Sequence, residues 1–280
     1  MNEKLKFISP ESNSFSMGIN YAEILKKSLK FAIQPKRWAP FFVLDFVFLS
    51  IVIIYTLTNI ADVISLMMVP NDITLLASLV PYFSAILALF ASWMLIRFWI
   101  TGAIIHQSNK ENEYKKSFTY SAKKYPAILA VMIIMGILGF ATSVIPYVGW
   151  LLSIIVSLMF FFAIQVVIVN NKSFSEGLSK SYNIFRKNAF NVLLSWLLLA
   201  IISIAIMIIF ALPMFALFFN VAQLSSTAVS QETLASYIIG LSQAYLPVLL
   251  IVGACLVVGI AISTVFSLKA QTEIFMKVKK

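Results

Sequence analysis

Long apolar runs alternate along this chain with short, polar, cation-rich stretches. Six of the runs approach twenty residues, at 38–60, 79–105, 127–143, 150–170, 190–212 and 247–268. At about 1.5 Å of rise per residue, each reaches across a hydrocarbon layer about 30 Å thick. A membrane barrel would instead show short segments of period two split by turns. The pattern therefore predicts an all-α, polytopic integral membrane protein with six transmembrane helices. Spans three and four are separated only by VIPYVGW (144–150), where Pro146 and Gly149 predict a tight reversal and hence a helical hairpin.

Composition strengthens this reading. Of the 280 residues, 61% are hydrophobic and only 11% charged, and the mean hydropathy is +0.94. A water-soluble domain carries about twice that charge. All of the 21 Lys and Arg except Arg97 lie before the first span, between the second and third, between the fourth and fifth, or after the sixth. The opposite loops hold Asp62, Asp72 and Glu232. The positive-inside rule then places both termini and the basic loops in the cytoplasm, in a multi-pass protein of the cell membrane. The net charge of +10 follows from this topology. The expected partners are membrane lipids, with anionic headgroups on the cytoplasmic side; no stretch interleaves exposed aromatics with Arg as a nucleic-acid binder would. The first 37 residues show no signal-peptide h-region, so the first span is expected to serve as its own insertion signal. The chain divides into a cytoplasmic segment (1–37), a six-span domain (38–268) and a basic tail (269–280).

The basic stretches resemble one another. YAEILKKSLKFAIQPKRW precedes the first span and SFSEGLSKSYNIFRKNAF the fifth, and both contain E-x-L-x-K-S: Glu23, Leu25, Lys27 and Ser28 against Glu176, Leu178, Lys180 and Ser181. KKSFTYSAKKYP, before the third span, shares the S-F opening of Ser173 and Phe174 and the small-residue spacing, without the glutamate. Three copies of one unit are expected, each a basic amphipathic interfacial helix followed by a transmembrane hairpin. Tyr21, Leu25, Ser28 and Ala32 share one helical face, flanked by lysines. Lys26, Lys27, Lys30, Lys180, Arg186 and Lys187 are the candidate contacts for anionic lipid.

This rhythm, clearest in AIQVVIVNNKSFSEGLSKSYNIFRKNAFNVLLSWLLLAI (163–201), resembles the membrane domain attached to some glycerophosphodiester phosphodiesterases and its free-standing bacterial and archaeal relatives. The resemblance covers most of the six-span region and implies architecture alone. The acidic and histidine metal-binding residues of the soluble phosphodiesterase domain have no counterpart in this sequence.

Candidate chemistry is sparse. Cys255 lies within the sixth span, and His106 follows the second without a Cys or carboxylate cluster around it. There is no Gly-rich phosphate loop, G-x-S-x-G or H-E-x-x-H. No metal, cofactor or catalytic residue is expected, and an intramembrane enzyme using Asp45 would lack a second acid, nucleophile or metal set. FFVLDFVFLS (41–50) sets Asp45 about seven residues inside the first span, and Arg97 lies at similar depth in the second, roughly 10–12 Å below the cytoplasmic edge. A lone charge near the bilayer centre costs about 2.5–3.5 kcal/mol on insertion scales, which predicts that the two pair. Gln165, Asn191, Ser195, Ser263, Thr264 and Ser267 fall in the same half. Two readings stand: a polar network locking the bundle with bonds of about 0.6 kcal/mol each, or a cytoplasm-facing cavity with Asp45 and Arg97 at its base. The expected function is noncatalytic handling of lipid or a small amphiphile. The alternative is an accessory or scaffold subunit of a larger membrane complex with a membrane-protein partner. Residues 213–245 read as an apolar stretch, a polar turn and an amphipathic helix led by Ser230 or Thr233, which forms a plain cap on the bundle or a docking surface for a partner.

Overall fold

The structure is a computed structural model that describes residues 19–59, 73–225 and 246–279. Asp62, Asp72, Glu232 and the amphipathic helix expected around 230–245 lie outside the described residues. The described chain is helical: α1 (Tyr21–Ala32), α2 (Pro35–Thr58), α3 (Ile73–Asn109), α4 (Tyr114–Ser143), α5 (Gly149–Met159), α6 (Ala163–Val169), α7 (Phe174–Ser225) and α8 (Leu246–Val278). Six stretches are long and apolar enough to cross a membrane, with α5 and α6 together forming the fourth. Each expected span has its helix.

Local chemistry starts the helices where the repeated motif stands. Asn20 Oδ1 accepts from the Glu23 amide and Asn20 Nδ2 donates to the Glu23 carboxylate. At α7, Ser173 Oγ accepts from the Glu176 amide while Glu176 accepts from the Ser173 amide, a capping box. The shared glutamate of E-x-L-x-K-S is thus the residue that closes the first turn. The shared serines, Ser28 and Ser181, are buried, as is Ser121 in α4. The reversal between α4 and α5 is tight: Tyr147 has φ 63°, and a Cβ on Gly149 would stand 2.3 Å from the Thr142 carbonyl oxygen.

Two boundaries differ from the sequence expectation. The basic stretch before span three is not a separate helix, since α4 runs unbroken from Tyr114, whereas α7 is two helices that meet at a kink at the non-helical Asn188 (φ −135°, ψ 37°), so the basic stretch before span five is set off from its span. The segment read as a tail is helical to Val278. Hydropathy marks where hydrocarbon begins, whereas backbone hydrogen bonding and packing decide where a helix ends. Pro126 removes one donor without ending α4.

The sixth and fourth spans lie innermost. Their apolar windows are 28% and 39% buried, against 11–17% for the others. α8 packs against α7, α1, α2 and α3, and more lightly against α6. Outer helices turn apolar stripes outward, such as Leu193, Leu197, Ile201, Ile204 and Ile208 on α7, as a lipid-facing surface requires.

The contacts between basic segments and spans follow one rule. α1 packs on α8, the start of α4 on α3, and the start of α7 on α6. Two of these seams carry the same bond at the same spacing: Ser121 Oγ donates to the Trp99 carbonyl (2.6 Å) and Ser181 Oγ to the Met159 carbonyl (2.9 Å), each pair 22 residues apart. A shift of 60 positions (99 to 159, 121 to 181) carries one seam onto the other. Close approach is needed at both. A Cβ on Gly102 would meet Ser121 Oγ at 2.3 Å and Ile128 Cδ1 at 2.5 Å, and one on Gly177 would meet Val167 Cγ2 at 2.7 Å.

Gly102→Ala is therefore expected to destabilise by about 1–3 kcal/mol through overpacking, read as a lowered thermal midpoint in detergent. Gly136→Ala, on the same bundle with no atom within 4 Å of the added Cβ, should leave the midpoint unchanged or raise it. Equal effects of the two substitutions would show that the α3/α4 seam is not close-packed.

Candidate functional site

Asp45 and Arg97 form an ion pair between α2 and α3, with Arg97 Nη1 donating to both carboxylate oxygens. Trp93, one turn before Arg97, donates its indole N–H to Asp45 Oδ1 at 2.8 Å, and Arg97 Nη2 donates to Thr264 Oγ1 on α8 at 3.3 Å. The guanidinium carbon also lies 5.2 Å and 5.1 Å from the Phe41 and Trp93 ring centroids. Asp45 is buried, and the Arg97 side chain is 19% exposed. The arrangement neutralises both charges and satisfies them with neighbouring donors and rings.

The other expected site residues are distributed elsewhere. Gln165 Nε2 donates to Gln271 Oε1 at 2.7 Å, and Gln271 Nε2 donates to the Phe161 carbonyl. Together they repair an interruption of the fourth span at Phe160–Phe162, between α5 and α6. Ser181 repairs it from the other side, donating to the Met159 carbonyl and accepting from the Phe162 amide at 3.1 Å. Asn191 and Ser195 belong to a third group, in which Ser195 Oγ and the Tyr21 hydroxyl both donate to the Asn191 carbonyl. Of the residues expected around Asp45 and Arg97, Thr264 is the one that hydrogen-bonds to the pair among the described residues. Ser267 pairs instead with Ser203 at 2.9 Å.

A second charged cluster, larger than the first, gathers where α1, α2, α3 and α8 meet. Lys269 is fully buried; its ammonium group donates to the Ser108 carbonyl (2.7 Å) and to Glu111 Oε1 (2.7 Å), and forms an ion pair with Glu273 Oε1 at 2.8 Å. Glu273 also meets Lys27 of α1 at 2.8 Å. Arg37, at the start of α2, donates to Gln107 Oε1 (2.7 Å) and to the Glu111 carbonyl (2.8 Å). Phe31 packs against both cations, 4.5 Å from the Arg37 guanidinium carbon and 5.0 Å from Lys269 Nζ. Burial works against ionisation of Glu111, yet the hydrogen bond from Lys269 and the charges of Lys269, Lys27 and Arg37 hold its carboxyl below the ordinary 4.5. The hydrogen bond to Glu273 raises Lys27 above its ordinary 10.5 against an opposing effect of burial. Lys269 and Glu273 stand four apart on one helix, a spacing visible in the sequence but hidden by reading 269–280 as a tail.

A further opening lies elsewhere again. A partly open cavity of about 440 Å³ lies between α6, the start of α7 and the end of α8. Lys180, Lys187 and Lys279 line it with Asn170, Asn183 and Asn188; Val166, Ile184 and Phe275 supply its apolar wall. Among the described residues no carboxylate lines it, and neither Asp45 nor Arg97 does. The cavity abuts the non-helical Asn188 and follows the repaired break of the fourth span by one turn. Lys26, Lys30 and Arg186 are exposed away from it. Among the described residues, no three His, Cys, Asp or Glu side chains come together as a metal site.

No family model, curated protein or solved structure matches this chain. The chemistry of these clusters is what bears on function.

Asp45→Asn alone should lower the thermal midpoint in detergent, and Arg97→Gln alone should do the same, by an amount corresponding to about 3–5 kcal/mol where the survivor stays buried. The double substitution should recover much of the loss, and the cycle reads the coupling directly. Additive single effects would mean that the two side chains do not depend on each other. For Glu111 the sign follows from its lowered native value: its contribution to stability is present above the unfolded value near 4.5 and is lost as pH falls through the native one. The midpoint of the unaltered protein should therefore fall more steeply below pH 4.5 than that of Glu111→Gln, and parallel curves would contradict this.

Proposed function

We propose that the protein is a noncatalytic membrane protein that binds an anionic amphiphile, with the headgroup in the cavity between α6, α7 and α8 and the apolar part along the adjoining wall. The observation that carries this reading is a lysine-lined cavity of about 440 Å³ with no carboxylate among its lining residues. Cations at a membrane surface attract anionic lipid by about 1 kcal/mol each, and a concave site with one apolar side suits a molecule with two chemistries. An internal comparison supports the sign of the ligand. Lys27 and Lys180 hold the same place in E-x-L-x-K-S, and Lys27 meets a carboxylate, Glu273, at 2.8 Å. Around Lys180 the ligand would supply the negative charge.

On this proposal the cation-rich ends of the helices face the cytoplasm. The chain is three units of basic segment and transmembrane hairpin, the architecture of the membrane domain that the sequence resembles.

Replacing Lys180, Lys187 and Lys279 together with Gln should weaken binding of anionic phospholipid about tenfold to a hundredfold, read by native mass spectrometry of protein extracted in mild detergent. Lipid retained at the level of the unaltered protein would overturn the reading. Orientation is tested in a Cys255→Ser background: cysteines at Lys115 and Lys180 should be labelled only from the cytoplasm, and one at the exposed Tyr147 only from outside. Labelling of positions 147 and 180 from one side would remove the six-span topology.

A further inference from the structure

The 60-position shift that superposes the Ser121 and Ser181 bonds also acts on the space beside them. A cavity of about 350 Å³ opens at the α3/α4 seam, lined by His106, Lys110, Glu113, Lys116, Tyr120 and Lys123. Moved by 60, His106, Lys110, Tyr120 and Lys123 fall on positions 166, 170, 180 and 183, and Val166, Asn170, Lys180 and Asn183 all line the larger cavity at the α6/α7 seam. Four corresponding positions on two corresponding helices mean that the two openings are one feature built twice.

The residues at those positions differ in a way that defines the ligand. The apolar Val166 of the larger cavity is replaced by an imidazole, and the wall is a tilted ring pair, His106 against Tyr120, with centroids 4.4 Å apart. His106 is buried, and its Nδ1 is held at 2.9 Å by the Ser117 hydroxyl, so the ring is fixed in place. Three lysines surround it. Lys110 leans toward Glu113 at 3.8 Å, an exposed and weak contact, while Lys116 and Lys123 form no ion pair among the described residues. The cavity therefore keeps a net positive charge, offers ammonium donors from its lysines, and lacks the aliphatic and phenylalanine wall of its counterpart.

We propose that this cavity is a second anion site, specific for a phosphate group rather than for an amphiphile as a whole. It rests on the reading of the larger cavity only in sharing the premise that these seams bind anions. The third seam, between α1 and α8, is closed by the chain itself, where the Glu273 carboxylate is seated on Lys27 and Lys269. One internal carboxylate and two open cavities then complete a set of three anion positions.

His106 is the chain's one histidine, so protein labelled with ¹⁵N-histidine reports this site alone. In phosphatidylcholine nanodiscs at constant ionic strength, the His106 resonances should shift on titration with inorganic phosphate, or on replacing part of the phosphatidylcholine with phosphatidylglycerol. The first result identifies free phosphate as the source and the second a lipid headgroup. K116Q/K123Q should abolish the shift, and K116R/K123R, which keeps both charges, should retain it and so exclude misfolding as the cause. K180Q/K187Q/K279Q should leave it intact, which separates failure of the larger site from failure of this one. No shift with either anion, or a shift that survives K116Q/K123Q, would overturn the proposal.

Discussion

An ammonium group shut away from water needs acceptors and a counter-charge, and Lys269 finds the Ser108 carbonyl and Glu111 as acceptors and the Glu273 carboxylate 2.8 Å away as a second ion-pair partner. That demand fixes the position of α8. A slide of α8 along α3 would take Lys269 from the Ser108 carbonyl and Glu111, and a slide of α1 would take Lys27 from Glu273. Nearer the middle of the same helices, Arg97 joins Asp45 on α2 to Thr264 on α8. Two charged ties at different depths leave α2, α3 and α8 one register. Buried ion pairs add little net stability, but their loss on one side is heavily penalised, so their effect is felt against alternative packings.

Where helices meet without charge, close backbone approach takes over. Hydrocarbon gives helices no reason to associate with one another rather than with lipid, so small residues and short hydroxyl bonds hold the seams. Gly102 beneath Ser121 and Gly177 beneath Val167 are such points. Beyond the serine level, the cation-bearing turns of two seams border cavities. Glu273 fills the gap at one seam, and the other two stay open.

The six spans were legible because hydropathy over twenty residues is a coarse property that packing does not alter. The Asp45–Arg97 pair was legible for a related reason: two charges at equal depth on neighbouring apolar helices have few other partners. The companions assigned to that pair were not, apart from Thr264. Gln165, Asn191 and Ser195 were grouped by depth, and depth says nothing about the direction a side chain takes around its helix. The Lys269 cluster was hidden by a boundary drawn where hydropathy falls, although α8 continues for ten residues past Leu268. The break at Phe160–Phe162 carries neither Gly nor Pro, so no local signal marks it; its cause is the partners that Ser181 and Gln271 offer to its backbone.

That break also sets an order of assembly. Of the two side chains that complete the fourth span, Ser181 lies in the segment synthesised next and Gln271 near the end of the last helix. A nascent chain that has delivered only four spans into the bilayer holds exposed peptide groups at Phe160–Phe162 with nothing in hydrocarbon to receive them. The fourth span is therefore the first of the inner helices to be made and the last to be finished, and the bundle closes around it only when the final helix arrives.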